Sequence, residues 1–457
     1  MPSTLRRTQQ RALTLSRSFA NAIKSTVSNT FVSSCDRHYR CSPFDNVIRY
    51  PTIPKHDIGR PRQLRRGVMP TFRPIHFIHR LPVEILSHIF VMGSEDDTML
   101  PVRVSHVCRV WREITFRTPS LWRRITITAQ TEMWRERIYR ARECTLDIEL
   151  KSWVTPTSGF PRRQSLDMYT VQWHIHLVAP YVQRWRSLEI VFTEYAPFLW
   201  NAALSGICSR NRDQARALED LTLVFRANDD TKEFCLFSGV APKLRRVTLD
   251  GIRLTWLPSL FGNLVYLDYT HHGFTVGHQA IRDVVSILEV CSRLVEFRIL
   301  FPRKHFPVHS TRYHPVQRRV ILPFLTRLQL RVESPDIPFE LAHLMTLVFT
   351  PNLLSLRLID ADRRHQPFPS LKSFFYVYAI SPSLRLLRIE HGWYDPRMVT
   401  PVLQALPNIR QLVVRRPHSP DQILSLNPRS RKGRQWGGDV YGQMHFHIHP
   451  NLKGICT

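Results

Sequence analysis

A short unit, Leu-x-x-Leu-x-Leu or a close variant, recurs through the second half of the chain and restricts its fold more than any other feature. The clear copies are Leu218/Leu221/Leu223, Leu244/Val247/Leu249, Leu264/Leu267/Tyr269, Leu294/Phe297/Ile299, Leu325/Leu328/Leu330, Leu353/Leu356/Leu358, Leu384/Leu387/Ile389 and Ile409/Leu412/Val414. Trp185/Leu188/Ile190 is a weaker opening copy. Leading residues of the clear copies lie 20 to 31 positions apart, with a mean near 27. The end of each unit alternates with period two, as a strand with one buried face does. Helix-like stretches, such as Gln279–Cys291 and Met398–Leu406, fall between copies. One such unit cannot bury its own apolar face, but stacked units share a continuous core. The spacing therefore predicts a solenoid over 185–416, with strands on a concave surface and helices on the convex one.

A different pattern occupies residues 78–122. Pro82 has a fixed φ suited to a first helical turn, and Glu84 follows where the helix dipole favours a negative charge. Leu81, Ile85, Ile89 and Phe90 recur at helical spacing, and Leu86 widens the stripe. Gly93 and the run Ser94-Glu95-Asp96-Asp97 are expected to end this helix. A second helix is expected over PVRVSHVCRVWREITF, with Val104, Val107, Cys108, Trp111 and Ile114 at spacings of three and four. Thr118-Pro119-Ser120 restarts the chain before Leu121 and Trp122. Three short amphipathic helices of this kind form a bundle that is marginal alone and gains stability by docking.

Three fragments in order carry a family resemblance: Leu81-Pro82-x-Glu84-Ile85-Leu86-x-x-Ile89-Phe90, Val104-Ser105-x-Val107-Cys108-Arg109-x-Trp111-Arg112, and Pro119-Ser120-Leu121-Trp122. Together they resemble an F-box, especially the form found in large fungal F-box families, over about 45 residues. The loop from Val91 to Arg103 looks a few residues longer than in compact members. The resemblance implies docking on a Skp-type adaptor, and through it on cullin and RING subunits. It implies a substrate receptor and not an enzyme, with Leu81, Pro82, Ile85, Ile89, Val107, Cys108, Trp111 and Trp122 divided between bundle and adaptor. The downstream units resemble irregular leucine-rich repeats, a kind often paired with an F-box. They lack the Asn that regular repeats place after the third leucine, so no asparagine ladder is expected.

Exposed positions between the leucines are often arginine: Arg245, Arg246, Arg298, Arg327, Arg357, Arg385 and Arg388. A basic concave surface would favour acidic or phosphorylated substrates, with Arg245, Arg298, Arg327, Arg357 and Arg388 as candidate contacts. The alternative is that these arginines only solvate a polar face.

The formal net charge is +28, and residues 1–80 hold 15 Lys/Arg against 3 Asp/Glu. Diffuse arginine charge without an aromatic stacking platform is weak evidence for nucleic-acid binding. The expected organisation is a basic, Pro-containing disordered arm (1–75), an F-box (76–125), a connecting segment (126–184), the repeats (185–416) and a basic disordered tail (417–457). The class is α plus α/β. The arm is rich in Arg and Ser and lacks any acid before Asp36, so it reads as a solvated tail or, alternatively, a mitochondrial transit peptide. Arg429, Arg431, Lys432 and Arg434 allow a nuclear-import patch. His445, His447 and His449 read as an exposed terminal strand in preference to metal ligands. Eight scattered cysteines without a CxxC pair imply free thiols in a reducing compartment, cytoplasmic or nuclear. No apolar run approaches the roughly 20 residues that span a bilayer. GxxxxGK[ST], GxSxG and HExxH are absent, so no catalytic residue, cofactor or metal is assigned. Rival readings are a non-ligase repeat scaffold and a basic nucleic-acid-binding protein.

Overall fold

The computed structural model describes residues 77–415, apart from 155–161, 164–165, 209–213, 304–317, 364, 379 and 407, together with 422–425. The basic arm 1–75, the basic patch at 429–434 and the terminal histidines lie outside the described residues. The chain divides into two compact units, Met1–Trp122 and Arg123–Thr457.

In the first unit, helices α1 (Val83–Asp96), α2 (Leu100–Ser105) and α3 (Arg109–Arg117) lie between single 3₁₀ turns at Phe77–Arg80 and Pro119–Trp122. Pro82 stands just before α1 at φ −54° and ψ 148°, so its ring shapes the approach to the helix from outside the first turn. Glu84 lies in that turn, as the charge pattern predicts. Helix α1 ends within the expected acidic run, at Asp96, and the Asp97 amide bonds the Gly93 carbonyl at 3.2 Å. Gly93 is buried because Leu100 needs the space: a Cβ there would stand 2.5 Å from Leu100 Cδ2. The single helix expected over 101–116 is two, parted at Cys108, whose backbone is extended (φ −156°, ψ 170°). Arg112 Nε spans the break, donating to the Ser105 carbonyl at 2.9 Å. The third helix is one 3₁₀ turn. Phe90 and Trp111 meet at 4.9 Å between ring centroids, and Trp122 Nε1 donates to the Thr115 carbonyl at 3.0 Å. Leu86, Leu100, Val104, Ile114 and Leu121 complete this core.

The second unit is built on a twelve-stranded sheet: β1 (Arg124–Thr126), β2 (Leu146–Lys151), β3 (Trp185–Val191), β4 (Asp220–Val224), β5 (Arg246–Asp250), β6 (Tyr266–Thr270), β7 (Glu296–Phe301), β8 (Arg327–Val332), β9 (Ser355–Asp360), β10 (Leu386–Glu390), β11 (Gln411–Arg415) and β12 (Gln422–Ser425). Strands join in chain order, and every pair is parallel except β11–β12. The register aligns the repeats: Leu221, Val247, Leu267, Phe297, Leu328, Leu356, Leu387 and Leu412 form one row across neighbouring strands. Every apolar position of the eight clear copies is buried. Helices fill the connections: α4 (Thr131–Arg140), α5 (Met168–Val178), α6 (Leu199–Cys208), α7 (Gly277–Val290), α8 (Phe339–Leu347), α9 (Leu371–Val377) and α10 (Pro396–Ala405). Helix α7 buries Ala280, Ile281, Val284, Val285, Ile287 and Leu288 on one face, the stripe that parallel-strand crossovers need.

Two expected boundaries move. Residues 126–184 are not a plain connection; they hold β2, α4 and α5, and β1 begins just before them. Ile125 pairs with Ile148 and Ile148 with Leu188, so the buried rows run on without a leading leucine. The stretch 417–457 is not uniformly a tail, because Gln422–Ser425 pairs with β11. A parallel stack ends on an unpaired edge, and one antiparallel strand satisfies it. No helix among the described residues is long and apolar enough to cross a membrane.

Candidate functional site

The short helices of the first unit leave a set of apolar side chains in water. Of the residues expected to meet an adaptor, Trp111 and Trp122 are 4% and 1% exposed and belong to the core. Leu81, Ile89 and Cys108 are half-buried, and Pro82 is exposed. Ile85 and Val107 are 48% and 45% exposed and do present a surface. Val83, Val110 and Phe116 are also exposed, and spacing did not point to them. Their signal was their position off the apolar stripe: an apolar residue there on a short helix has no core to enter. Val83, Ile85, Val107, Val110 and Phe116 are thus the exposed large apolar side chains among the described residues of this unit.

The second surface is the face of the sheet opposite the leucines. The arginines expected on this face are interleaved with acids. Arg298 pairs with Glu296 at 2.6 Å and lies 3.7 Å from Asp268. Arg327 reaches the other oxygen of Glu296 at 2.7 Å, and Arg331 pairs with Asp268. Arg388 and Arg357 share one oxygen of Glu390, at 2.5 and 3.8 Å. Arg246 lies 2.8 Å from Asp220, whose carboxyl burial pushes above its ordinary range against the pull of Arg246. Arg245 stands just before β5 and donates to the Asn263 carbonyl at 3.4 Å, outside these ion pairs. A cleft of about 290 Å³ opens on this face over β3–β6, lined in part by Glu189, Asp220, Thr222, Arg246, Thr248 and Tyr266. Burial and the neighbouring Arg388 both push the Arg357 guanidinium below its ordinary pKa, with Glu390 opposing.

One side-chain group among the described residues has a metal-like arrangement: His271, His272 and Asp283. The two histidine Nε2 atoms lie 4.0 and 3.8 Å from Asp283 Oδ2. The backbone amides of Gly273 and Phe274 donate to the Nδ1 atoms of His271 and His272, at 3.1 and 3.0 Å. An Nδ1 that accepts leaves the proton of the neutral ring on Nε2, the atom facing Asp283. Neither ring then offers a metal the lone pair it needs, and the residues do not fit a metal site. They form a network instead: His271 Nε2 lies 3.1 Å from Thr275 Oγ1, which donates to Asp283 Oδ2 at 2.7 Å, tying the β6–α7 loop to α7.

This network has a pH consequence. Burial, with Arg253 adding to it, lowers the His272 pKa from 6.5 to about 3. Below pH 6.5 the unfolded chain takes up a proton that the folded chain refuses, so stability falls as pH drops from about 6.5 toward 3. His174, also lowered by burial, acts in the same direction. Asp283, raised by burial, acts against it. We expect the melting temperature to fall between pH 7 and pH 5, and His272→Gln to reduce that fall. An identical fall in the variant would refute the assignment.

Residues 78–128 match the protein family described as F-box-like and form an F-box-like domain; the match closely tracks the helical unit and its exit into β1. No curated protein sequence matches the chain. Among solved structures, the crystal structure of the TLR13–ssRNA13 complex shows 12% identity and a TM-score of 0.20, over 64% of this chain and 53% of that one. The chain thus spans about half the length of that protein. At that score the likeness carries no weight, and the description of the sheet rests on its own strand order and register.

Proposed function

We propose that this chain is a substrate-receptor subunit of a Skp–cullin–F-box ubiquitin ligase. The F-box-like domain at 78–128 is the observation that carries the reading. Exposed Ile85 and Val107, with Val83, Val110 and Phe116, supply the apolar surface that a Skp-type adaptor would cover. The sheet, adding one parallel strand per sequence repeat, supports an irregular leucine-rich-repeat solenoid whose polar strand face holds the substrate. The chain itself performs no chemistry in this reading. It raises the concentration of a substrate lysine near the charged conjugating enzyme brought by the cullin and RING subunits. The cysteines Cys108, Cys144, Cys235 and Cys291 are free thiols, which suits a reducing compartment, cytoplasmic or nuclear.

The test is capture of a Skp-type protein and a cullin by the full chain. Wild type should retain both. Ile85→Asp/Val107→Asp, at exposed positions that leave the core intact, should lose at least about 90% of the captured adaptor, since a buried unpaired charge costs several kcal/mol at an interface. Circular dichroism should match wild type. Equal capture by the variant would sink the docking claim. Capture of the adaptor without a cullin would favour a non-ligase scaffold.

A further inference from the structure

We propose that the edge of the sheet where the chain enters β7–β11 docks an extended acidic segment of a protein partner, one that carries an apolar anchor between its acids. The inference deepens the receptor reading, on which it rests, by naming the chemistry of a bound segment.

The residues before and after the buried leading position of each repeat lie at this edge. Backbone hydrogen bonds join the following residues into one row: the Thr326 amide bonds the Val295 carbonyl, Leu354 that of Thr326, Arg385 that of Leu354 and Arg410 that of Arg385, at 2.8–2.9 Å. The preceding residues form a side-chain ladder. Asn263, Asn352, Ser383 and Asn408 each donate to a proline carbonyl of the unit before, those of Pro242, Pro323, Pro351 and Pro382, at 2.8–3.3 Å. The fold thus uses a short polar donor at this position. Phe324 occupies the same position in its unit, has no donor to offer and is 59% exposed. Beside it in the next unit, Leu354 is 37% exposed.

Cations flank this apolar pair. Arg293 lies on one side, Arg385 and Arg410 on the other, and all three are exposed. Arg293 donates to the neutral side-chain oxygen of Asn263 at 3.1 Å. None of the three forms an ion pair among the described residues. No residue on either side of the leading positions of β7–β11 is acidic. Glu296, the acid closest in sequence to Arg293, is taken by Arg298 and Arg327. Arg385 and Arg410 are thus adjacent guanidinium forks without a carboxylate, and such forks match the bidentate geometry of a carboxylate or phosphate. From Arg293 to Arg410 the row crosses four strand spacings, roughly 19 Å at about 4.8 Å each, the reach of about six extended residues.

Charge decides the occupant. The segments of this chain outside the described residues are neutral or basic in net charge; 304–317, which precedes the entry to β8, holds Lys304 and Arg312 and no acid. None of them complements three arginines, whereas an acidic partner segment does. A single-stranded nucleic acid needs aromatic faces for successive bases, and the row offers Leu354 beside Phe324.

The test uses the full chain and fluorescence anisotropy of labelled twelve-residue Gly/Ser peptides. The first places two glutamates on each side of a central Leu-Leu. The second replaces those glutamates with phosphoserines and the third with glutamines. The fourth keeps the glutamates and replaces Leu-Leu with Ser-Ser. Wild type should bind one or both of the first two at least tenfold more tightly than the third, and their ranking identifies carboxylate or phosphate as the favoured source. It should also prefer the first to the fourth. Arg385→Gln/Arg410→Gln should weaken binding of the anionic probes at least tenfold. Lys372→Gln/Arg397→Gln, which removes two charges from exposed positions on α9 and α10, should stay within twofold of wild type. Phe324→Asn should bring the Leu-Leu probe down to the level of the Ser-Ser probe. Its melting temperature should be no lower than that of wild type, because asparagine supplies the donor used in the neighbouring units; a fall would give Phe324 a structural role and overturn the anchor contact. Binding of neither anionic probe, equal weakening by both double variants, weakening by neither, or an unchanged preference for Leu-Leu in Phe324→Asn overturns the proposal. So does a twelve-nucleotide oligo(dT) that binds as tightly and depends on Arg385 and Arg410 to the same degree. Adaptor capture by the Arg385/Arg410 variant should match wild type, so failure of this inference is separable from failure of the receptor reading.

Discussion

Trp111→Ala should abolish capture of a Skp-type adaptor by unfolding the helices of residues 77–122, not by deleting a contact with the partner. Trp111 is 4% exposed and packs its ring against Phe90 at 4.9 Å. Truncating a buried tryptophan costs about 3–5 kcal/mol, the transfer free energy plus the cavity left behind. A helical unit of under fifty residues has little more than that in total. The variant should therefore show increased proteolysis within 77–122 together with lost capture. Trp111→Phe is the informative partner. The Trp111 Nε1 atom has no hydrogen-bond partner, so phenylalanine gives up ring volume without orphaning an acceptor. It should retain most capture. A folded Trp111→Ala that fails to bind would assign the indole to the adaptor side, one of the two places that the family resemblance allows it.

That placement shows where periodicity stopped being informative. Val107 and Trp111 are four residues apart and would lie on one stripe of a continuous helix. The extended backbone at Cys108 breaks that helix, so Trp111 turns inward while Val107 stays 45% exposed. A helix break at a cysteine, with neither proline nor glycine to mark it, leaves no local sign. The repeats were legible because their signal is redundant: eight copies each repeat the same strand pattern, and register then buries them all in common rows. Strands β1 and β2 escaped because Ile125 and Ile148 lack the leading leucine and the spacing to β3 is irregular. The ion pairs between strands of the sheet face were invisible for another reason. Arg327 meets Glu296 and Arg331 meets Asp268, partners 31 and 63 positions away, and only the parallel register brings them together. Counting arginines within each strand therefore finds the cations and misses the acids beside them.

Gly251→Ala should destabilise the repeat unit by about 2–5 kcal/mol, and the comparison with Gly277→Ala isolates the cause. Gly251 follows β5 at φ +72°, a conformation costing roughly 1–2 kcal/mol for a residue with a side chain. A Cβ there would also stand 2.0 Å from the carbonyl oxygen of Phe225, a backbone atom that cannot rotate away. Forced repacking adds about 1–3 kcal/mol. The site is fixed from several directions. Trp200 Nε1 donates to the Gly251 carbonyl at 3.1 Å, and the Phe225 amide bonds the Asp250 carbonyl at 2.9 Å. Asp250 in turn holds Arg226 at 2.8 Å. Moving Gly251 to relieve the clash would loosen the links between the loops after β4 and β5. Gly277 begins α7 at φ +57°, and a Cβ added there would meet nothing within 4 Å, so alanine carries only the conformational cost. Urea unfolding followed through the sheet should place Gly277→Ala about 1–2 kcal/mol below wild type and Gly251→Ala clearly lower. Equal losses at the two positions would mean that the Phe225 contact contributes nothing and that backbone conformation alone requires glycine after β5.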